Sequence, residues 1–291
     1  MPREKLHQKM RKSYVIIALL LISSVANAQK GWNQEYKRKN HFDFFWGYNV
    51  AGYSKSDISF VGQDYNFTLY DVKAYDRPTP FAVDPYLNPG MFTIPQWNLR
   101  MTYHFADRWS VSLGTDHMKY VMPQNQYVAM EGYINITGNK FNGVYNRQPQ
   151  KLTDDFLLFE HTDGLNYASI EVEYHGNIYQ FNKKNSINYY IGPGAGILIP
   201  RSNVTLMNYP RYDEFHLAGY GLSGKIGVQA IVIKNLTFNA EWKNGYISMQ
   251  DILTTGDNPN DRAMQTFWFS EFTFTIGFIL DFNKKDKKEK N

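Results

Sequence analysis

The chain has 291 residues, a formal net charge of +4, no cysteine and 16% aromatic residues, with a mean hydropathy of −0.49. Beyond the N-terminal segment no apolar run reaches about 18 residues, which excludes membrane-spanning helices but not a barrel, whose strands are only half apolar. Without cysteine there is no disulfide framework, no thiolate metal site and no lipid-bearing cysteine after a leader.

Residues 1–28 read as a secretory signal. Arg3, Lys5, Lys9, Arg11 and Lys12 form a basic start, YVIIALLLI the apolar run, and Ala26-Asn27-Ala28 the cleavage site. Removing this segment takes away five basic residues and one acidic one, Glu4, and brings the net charge from +4 (31 basic against 27 acidic) to zero, 26 against 26. The basicity therefore belongs to the signal, and no nucleic-acid partner is inferred from it. Residues 29–40 are a polar lead-in.

From His41 the pattern alternates. Phe42, Phe44, Trp46, Tyr48 and Val50 oppose Asp43, Phe45, Gly47, Asn49 and Ala51, as successive strand side chains point to opposite faces. Residues 55–95 are rich in turn formers, with Ser56–Phe60 and Asn66–Val72 as short candidate strands. Trp97–Phe105 and Trp109–Gly114 then make a hairpin about Ala106-Asp107-Arg108. One face carries Trp97, Leu99, Met101, Tyr103 and Phe105, and the other Asn98, Arg100, Thr102 and His104. Residues 122–163 read as a long polar insertion. Further strands are expected at Tyr167–Tyr179, Ile187–Ile199, around Tyr220–Val228, around Phe238–Trp242 and finally Phe272–Phe282. A basic tail, 284–291, closes the chain.

Short connections near 107, 183 and 234 alternate with longer ones at 122–163, 201–213 and 251–264. Outer-membrane barrels have short periplasmic turns and longer external loops. The pattern therefore predicts an all-β, eight-stranded antiparallel transmembrane up-and-down β-barrel over residues 41–283. Both termini would be periplasmic, in the outer membrane of a Gram-negative bacterium. The alternative is 10–12 strands, with hairpins drawn from the long loops. A soluble sandwich or lipocalin-like barrel would alternate in the same way with the opposite sense. Large aromatics on one face and Arg100, Glu171, Glu173, Lys225, Glu241 and Lys243 among small residues on the other favour the membrane.

The signal segment, the ADRWSVSLG hairpin, the YYIGPGAGIL strand and the aromatic last strand resemble small outer-membrane barrels of the OmpA, OmpX and OmpW type. The resemblance is one of architecture and covers most of residues 41–283. It implies a monomer in outer-membrane lipid and lipopolysaccharide, with Phe282 read by the outer-membrane insertion machinery. No peptidoglycan-binding domain follows, unlike the full OmpA arrangement.

Candidate sites follow from the faces. Arg100, Lys225 and Lys243 against Glu171, Glu173, Glu241 and Glu271 are expected to form a lumen ionic network, because buried charges must be paired. Asp116-His117-Met118-Lys119 is the densest reactive cluster, with Asp116 inward and His117 and Lys119 outward. His117 and Lys119 are candidates for lipid-headgroup contact, and His117 with Asp116 for catalysis. Lipid A-modifying barrels resembling PagL pair such a His with a Ser, but position 119 is Lys, and without a nucleophile the hydrolase argument lacks its first step. No metal site and no cofactor is expected. The reading is a structural or surface-binding barrel, with a His117-dependent lipid A hydrolase and a narrow channel as alternatives.

Overall fold

Alternating faces make strands, and strands with two unlike faces must choose which one to hide. The computed structural model describes residues 36–283, apart from 89, 92, 93, 183, 184, 208, 234, 257 and 259. The expected signal segment, the start of the lead-in and the basic tail lie outside these residues.

In chain order the strands are β1 (His41–Tyr53), β2 (Ser56–Val61), β3 (Tyr65–Val72), β4 (Trp97–His104), β5 (Trp109–Val121), β6 (Tyr127–Ile134) and β7 (Gly143–Lys151). There follow β8 (Leu157–Gln180), β9 (Ser186–Leu198), β10 (Asn203–Leu206), β11 (Gly219–Ile233), β12 (Leu236–Leu253) and β13 (Arg262–Asp281), and one helical turn, α1 (Val83–Tyr86), lies between β3 and β4.

Eight strands close a barrel in the order β1-β4-β5-β8-β9-β11-β12-β13, with β13 paired back onto β1. Following partners from Asp43 through Thr102, Ser112, Glu171, Gly194, Ser223, Gly245 and Phe269 returns to β1 at Tyr53, ten positions further along. A stagger of this size tilts eight strands by about 40° and leaves an interior just wide enough for side chains.

The polarity of this barrel is inverted relative to a soluble one. Leu113, Ile170, Ile226, Trp242, Phe274 and Ile276 lie exposed on the outer wall, while Arg100, Glu171, Lys225, Lys243 and Glu271 are buried inside. In water that arrangement would forfeit the apolar area and bury charge as well; in hydrocarbon it is what a spanning barrel needs. Inward glycines make room for the large polar groups. A Cβ at Gly227 would come within 2.1 Å of the Tyr190 ring.

The remaining strands build a cap at the long-loop end. β2 pairs with the first residues of β13, β3 with β2, β6 with β3 and β7 with β6. β8 runs past the barrel wall, and β10 pairs with its beginning. The inner face of the cap buries Ile58, Phe60, Phe67, Leu69, Met130 and Phe159 completely or nearly so. Phe60 stacks on Phe67 at 5.1 Å and meets Phe159 edge-on at 5.9 Å.

Two expectations need correction here. Residues 122–163 are not one polar insertion but contain β6, β7 and the first seven residues of β8. Likewise β12 continues to Leu253 and β13 starts at Arg262, where the sequence pattern suggested a loop. The first error has a clear cause. β7 is an edge strand with almost every side chain exposed, so nothing forces its sequence to alternate. The hairpins of the long loops do form, but they add to the sheet without entering the closed ring of eight.

The end of the lead-in folds into the short-turn mouth of the barrel. Tyr36 is buried with its ring stacked on His175 at 6.0 Å, and Arg38 pairs with Asp43 at 3.3 Å. Truncating a buried Phe of this kind costs about 3–5 kcal/mol. Phe60→Ala is therefore expected to raise hydrogen exchange throughout β2, β3 and β6 while heat-modifiable gel migration of the barrel stays unchanged.

Candidate functional site

The lumen brings three cations onto four carboxylates, and a fifth joins them through an amide. Lys225 Nζ lies 2.6 Å from Glu171 Oε2, 2.7 Å from Glu173 Oε1 and 3.1 Å from Glu241 Oε2. Lys243 Nζ reaches Asp116 Oδ2 and Glu171 Oε1, each at 2.7 Å. The Arg100 guanidinium bridges Asp116 at 2.5 Å and Glu171 at 3.3 Å. Glu271 is joined through an amide: it accepts from Asn98 Nδ2 at 2.8 Å, and the same nitrogen donates to Asp116. These groups come from β4, β5, β8, β11, β12 and β13, so the cluster ties most of the wall together.

Asp116 thus sits at the centre of the ionic cluster, away from His117. Neighbours in sequence, they occupy opposite faces of β5, so they form no acid–base pair. On the outer side His117 Nδ1 is 2.8 Å from Asn166 Oδ1, and its ring stacks on Trp97 at 5.5 Å. Its side-chain hydrogen-bond partner among the described residues is an amide, which is not among the nucleophiles of covalent catalysis. Lys119 Nζ donates to the Ile94 carbonyl at 3.1 Å and to Thr79 Oγ1 at 3.4 Å, which fastens the β3–β4 connection to β5.

A second polar layer lies nearer the short-turn mouth. His104 Nε2 is 3.1 Å from Asp43 Oδ2. Ser110 Oγ donates to Glu173 Oε2 at 2.9 Å and lies 2.8 Å from His175 Nε2. His175 Nε2 is also 3.1 Å from that same Glu173 oxygen. A relay needs the carboxylate on the opposite ring nitrogen from the nucleophile; here serine and carboxylate share one nitrogen, so the trio is a structural knot. Ser110 was legible in the alternation as an inward residue, but its partner strand was not. Ser169, on the same strand face as His175, instead contacts Glu171 at 3.4 Å.

The space these groups leave is small. The lumen cavity lined by Phe45, Arg100, Glu173, Tyr190, Lys225 and Glu241 amounts to about 20 Å³, room for about one water molecule. Above the apolar belt, in the cap, His161 is buried against Tyr120 and Phe159, with Nδ1 2.8 Å from Ser202 Oγ.

Closure, inverted polarity and a filled lumen together define an integral β-barrel of the small outer-membrane type. No family model matches the chain, and no curated protein does. Among solved structures it is similar to the outer membrane protein OprG from Pseudomonas aeruginosa, at 12% identity over 85% of this chain and 99% of that one, with a TM-score of 0.41. It is also similar to the outer membrane protein AlkL, at 8% identity over 87% and 96%, with a TM-score of 0.39. The attachment invasion locus protein Ail of Yersinia pestis follows at 11% identity over 83% and 99%, with a TM-score of 0.32. At this distance the correspondence is one of general architecture, and the class rests on the barrel's own geometry.

Two outcomes are expected. Removing one partner of a buried charge cluster strands the others, at a cost of about 3–5 kcal/mol. Lys243→Met should lower stability by that order in urea unfolding of the detergent-solubilised protein, and adding Asp116→Asn should recover part of the loss. In the cap, burial pushes the His161 imidazole down to about 4. The folded form thus binds its proton later than the unfolded chain, whose histidine titrates near 6.5. Its stabilisation is complete above about pH 6.5, falls by up to about 3 kcal/mol as the pH drops to about 4, and is constant below that. Cap unfolding should show this loss in the wild type and lack it in His161→Gln.

Proposed function

We propose that this is a non-catalytic, non-conducting outer-membrane barrel that holds a rigid β cap at the cell surface for a structural or binding role. The observation that carries the reading is the filled lumen: charges from six strands interlock and leave space for about one water. A pore needs a continuous polar path, and a hydrolase needs an activated nucleophile; the paired lumen and the His117–Asn166 contact favour neither.

Orientation follows the length rule for connections. Short turns are periplasmic in such barrels and long loops external, so the cap faces outward and both termini lie in the periplasm. Phe282, exposed at the short-turn rim, is suited to recognition by the insertion machinery. The chain is proposed to act as a monomer in lipopolysaccharide-bearing membrane.

Planar-bilayer recording with the purified protein should give no steps above the bare-membrane baseline; regular open levels would refute the plugged lumen. Lipid A mass spectra should be the same with wild type, His117→Ala and no protein. Protease added to intact cells should cut within the cap and leave both termini untouched.

A further inference from the structure

Between β3 and β4 the chain leaves the cap and comes down the outside of the barrel. Over residues 77–88 it forms a strap that includes α1, touches β1 and β5, and faces β12 and β13 across a gap. Tyr48 Oη, on the wall, donates to the Tyr86 carbonyl at 2.6 Å, and the two rings meet edge-on at 4.7 Å. Between strap and wall runs a groove of about 660 Å³, with Trp46, Phe238, Phe274 and Ile276 on one side and Phe81 and Leu87 on the other. That size is typical of small-ligand sites, about 300–1,000 Å³.

The depth of the groove identifies its surroundings. On β13 the exposed apolar belt runs from Trp268 to Phe282, so Phe274 and Ile276 lie in its middle, at hydrocarbon level. Phe81 and Leu87 are 83% and 72% exposed, a large penalty in water and none in lipid.

Irregular backbone facing hydrocarbon is normally excluded because its polar groups go unpaired. This strap reduces that penalty. Pro78, Pro80 and Pro85 have no N–H to satisfy. The N–H groups of Leu87 and Asn88 donate to Val83 and Pro85 carbonyls, Asn88 Nδ2 donates to Asp84 Oδ1 at 2.9 Å, and Tyr86 Oη donates to the Thr79 carbonyl at 2.7 Å.

We propose that the groove between strap and wall holds one acyl chain of a bilayer lipid, clamped against the barrel. The occupant follows from an apolar lining, a position at the centre of the belt and an opening onto the bilayer. The site is independent of the surface role proposed for the cap.

The test uses full-length protein in nanodiscs of palmitoyl-oleoyl phosphatidylethanolamine carrying a small fraction of the same lipid with a diazirine on its acyl chain. After photolysis, labelling is mapped by residue. Phe81, Leu87, Phe274 and Ile276 are expected to be labelled about fivefold more than Ile170 and Ile191 on the opposite wall, a preference of about 1 kcal/mol. Leu87→Asp and, separately, Tyr48→Phe should bring Phe274 and Ile276 down to the opposite-wall level with heat-modifiable migration unchanged. A parallel arm with diazirine-bearing lipid A decides which lipid class supplies the chain, and enrichment with either supports the site. Uniform labelling around the belt with both lipids overturns the proposal. So does cross-linking of the strap to a second copy, which would make the groove a contact between barrels.

Discussion

Mutual pairing of charge inside a space with room for about one water molecule is the constraint on which this structure depends. Arg100, Lys225 and Lys243 each touch more than one carboxylate, and Glu171 touches all three. Such a cluster is not a strong source of stability, because desolvation offsets much of the attraction. Its effect is specificity of register. A one-residue slip between β8 and its neighbours would send Glu171 and Glu173 to the lipid face, where no partner exists. The interior therefore selects one alignment of the wall, and that alignment sets where the outer belt and the cap fall.

The cap solves a different problem by a different means. Its core is aromatic and aliphatic, with Phe60, Phe67, Phe156 and Phe159 packed against Leu69 and Met130, as in a water-soluble sandwich. The same chain thus reverses its polarity once: apolar groups face outward along the wall and inward in the cap. β13 makes the switch within one strand. Phe267 and Phe269 are buried, whereas Phe272 and Phe274, beyond the change of surroundings, are exposed.

That reversal explains how much the sequence could tell. Membrane strands carry a period of two with large contrast between faces, so Trp97–Phe105 and Phe272–Phe282 were legible, as were the inward positions of Arg100, Glu171 and Lys225. Cross-strand partners were not, because they depend on register set by many weak contacts. Asp116 could be placed inside the barrel from alternation alone, yet its link to Lys243, 127 positions away, has no local signature. The partners of Ser110 and His104 were hidden for the same reason. β7 was missed because an exposed edge strand is free of the constraint that writes a pattern. The strap was read as turn-rich connection, since neither its prolines nor its scattered apolar residues reveal which surface it rests on.

One consequence of the long strands concerns mechanics. β8 and β13 both run from the wall into the cap, β8 through a bulge at Gly164 (φ +134°), and β8 spans ten residues, Leu157 to Asn166, before it pairs with β9 at Tyr167. At about 3.3 Å per residue that is a stalk of roughly 20–30 Å, braced by pairing with β5 and β10 along much of its length. The cap is thus joined to the barrel by paired strands rather than by a single connection. A partner meeting the cap would find it already ordered, with little conformational entropy left to lose, and any pull on the cap would load the barrel directly.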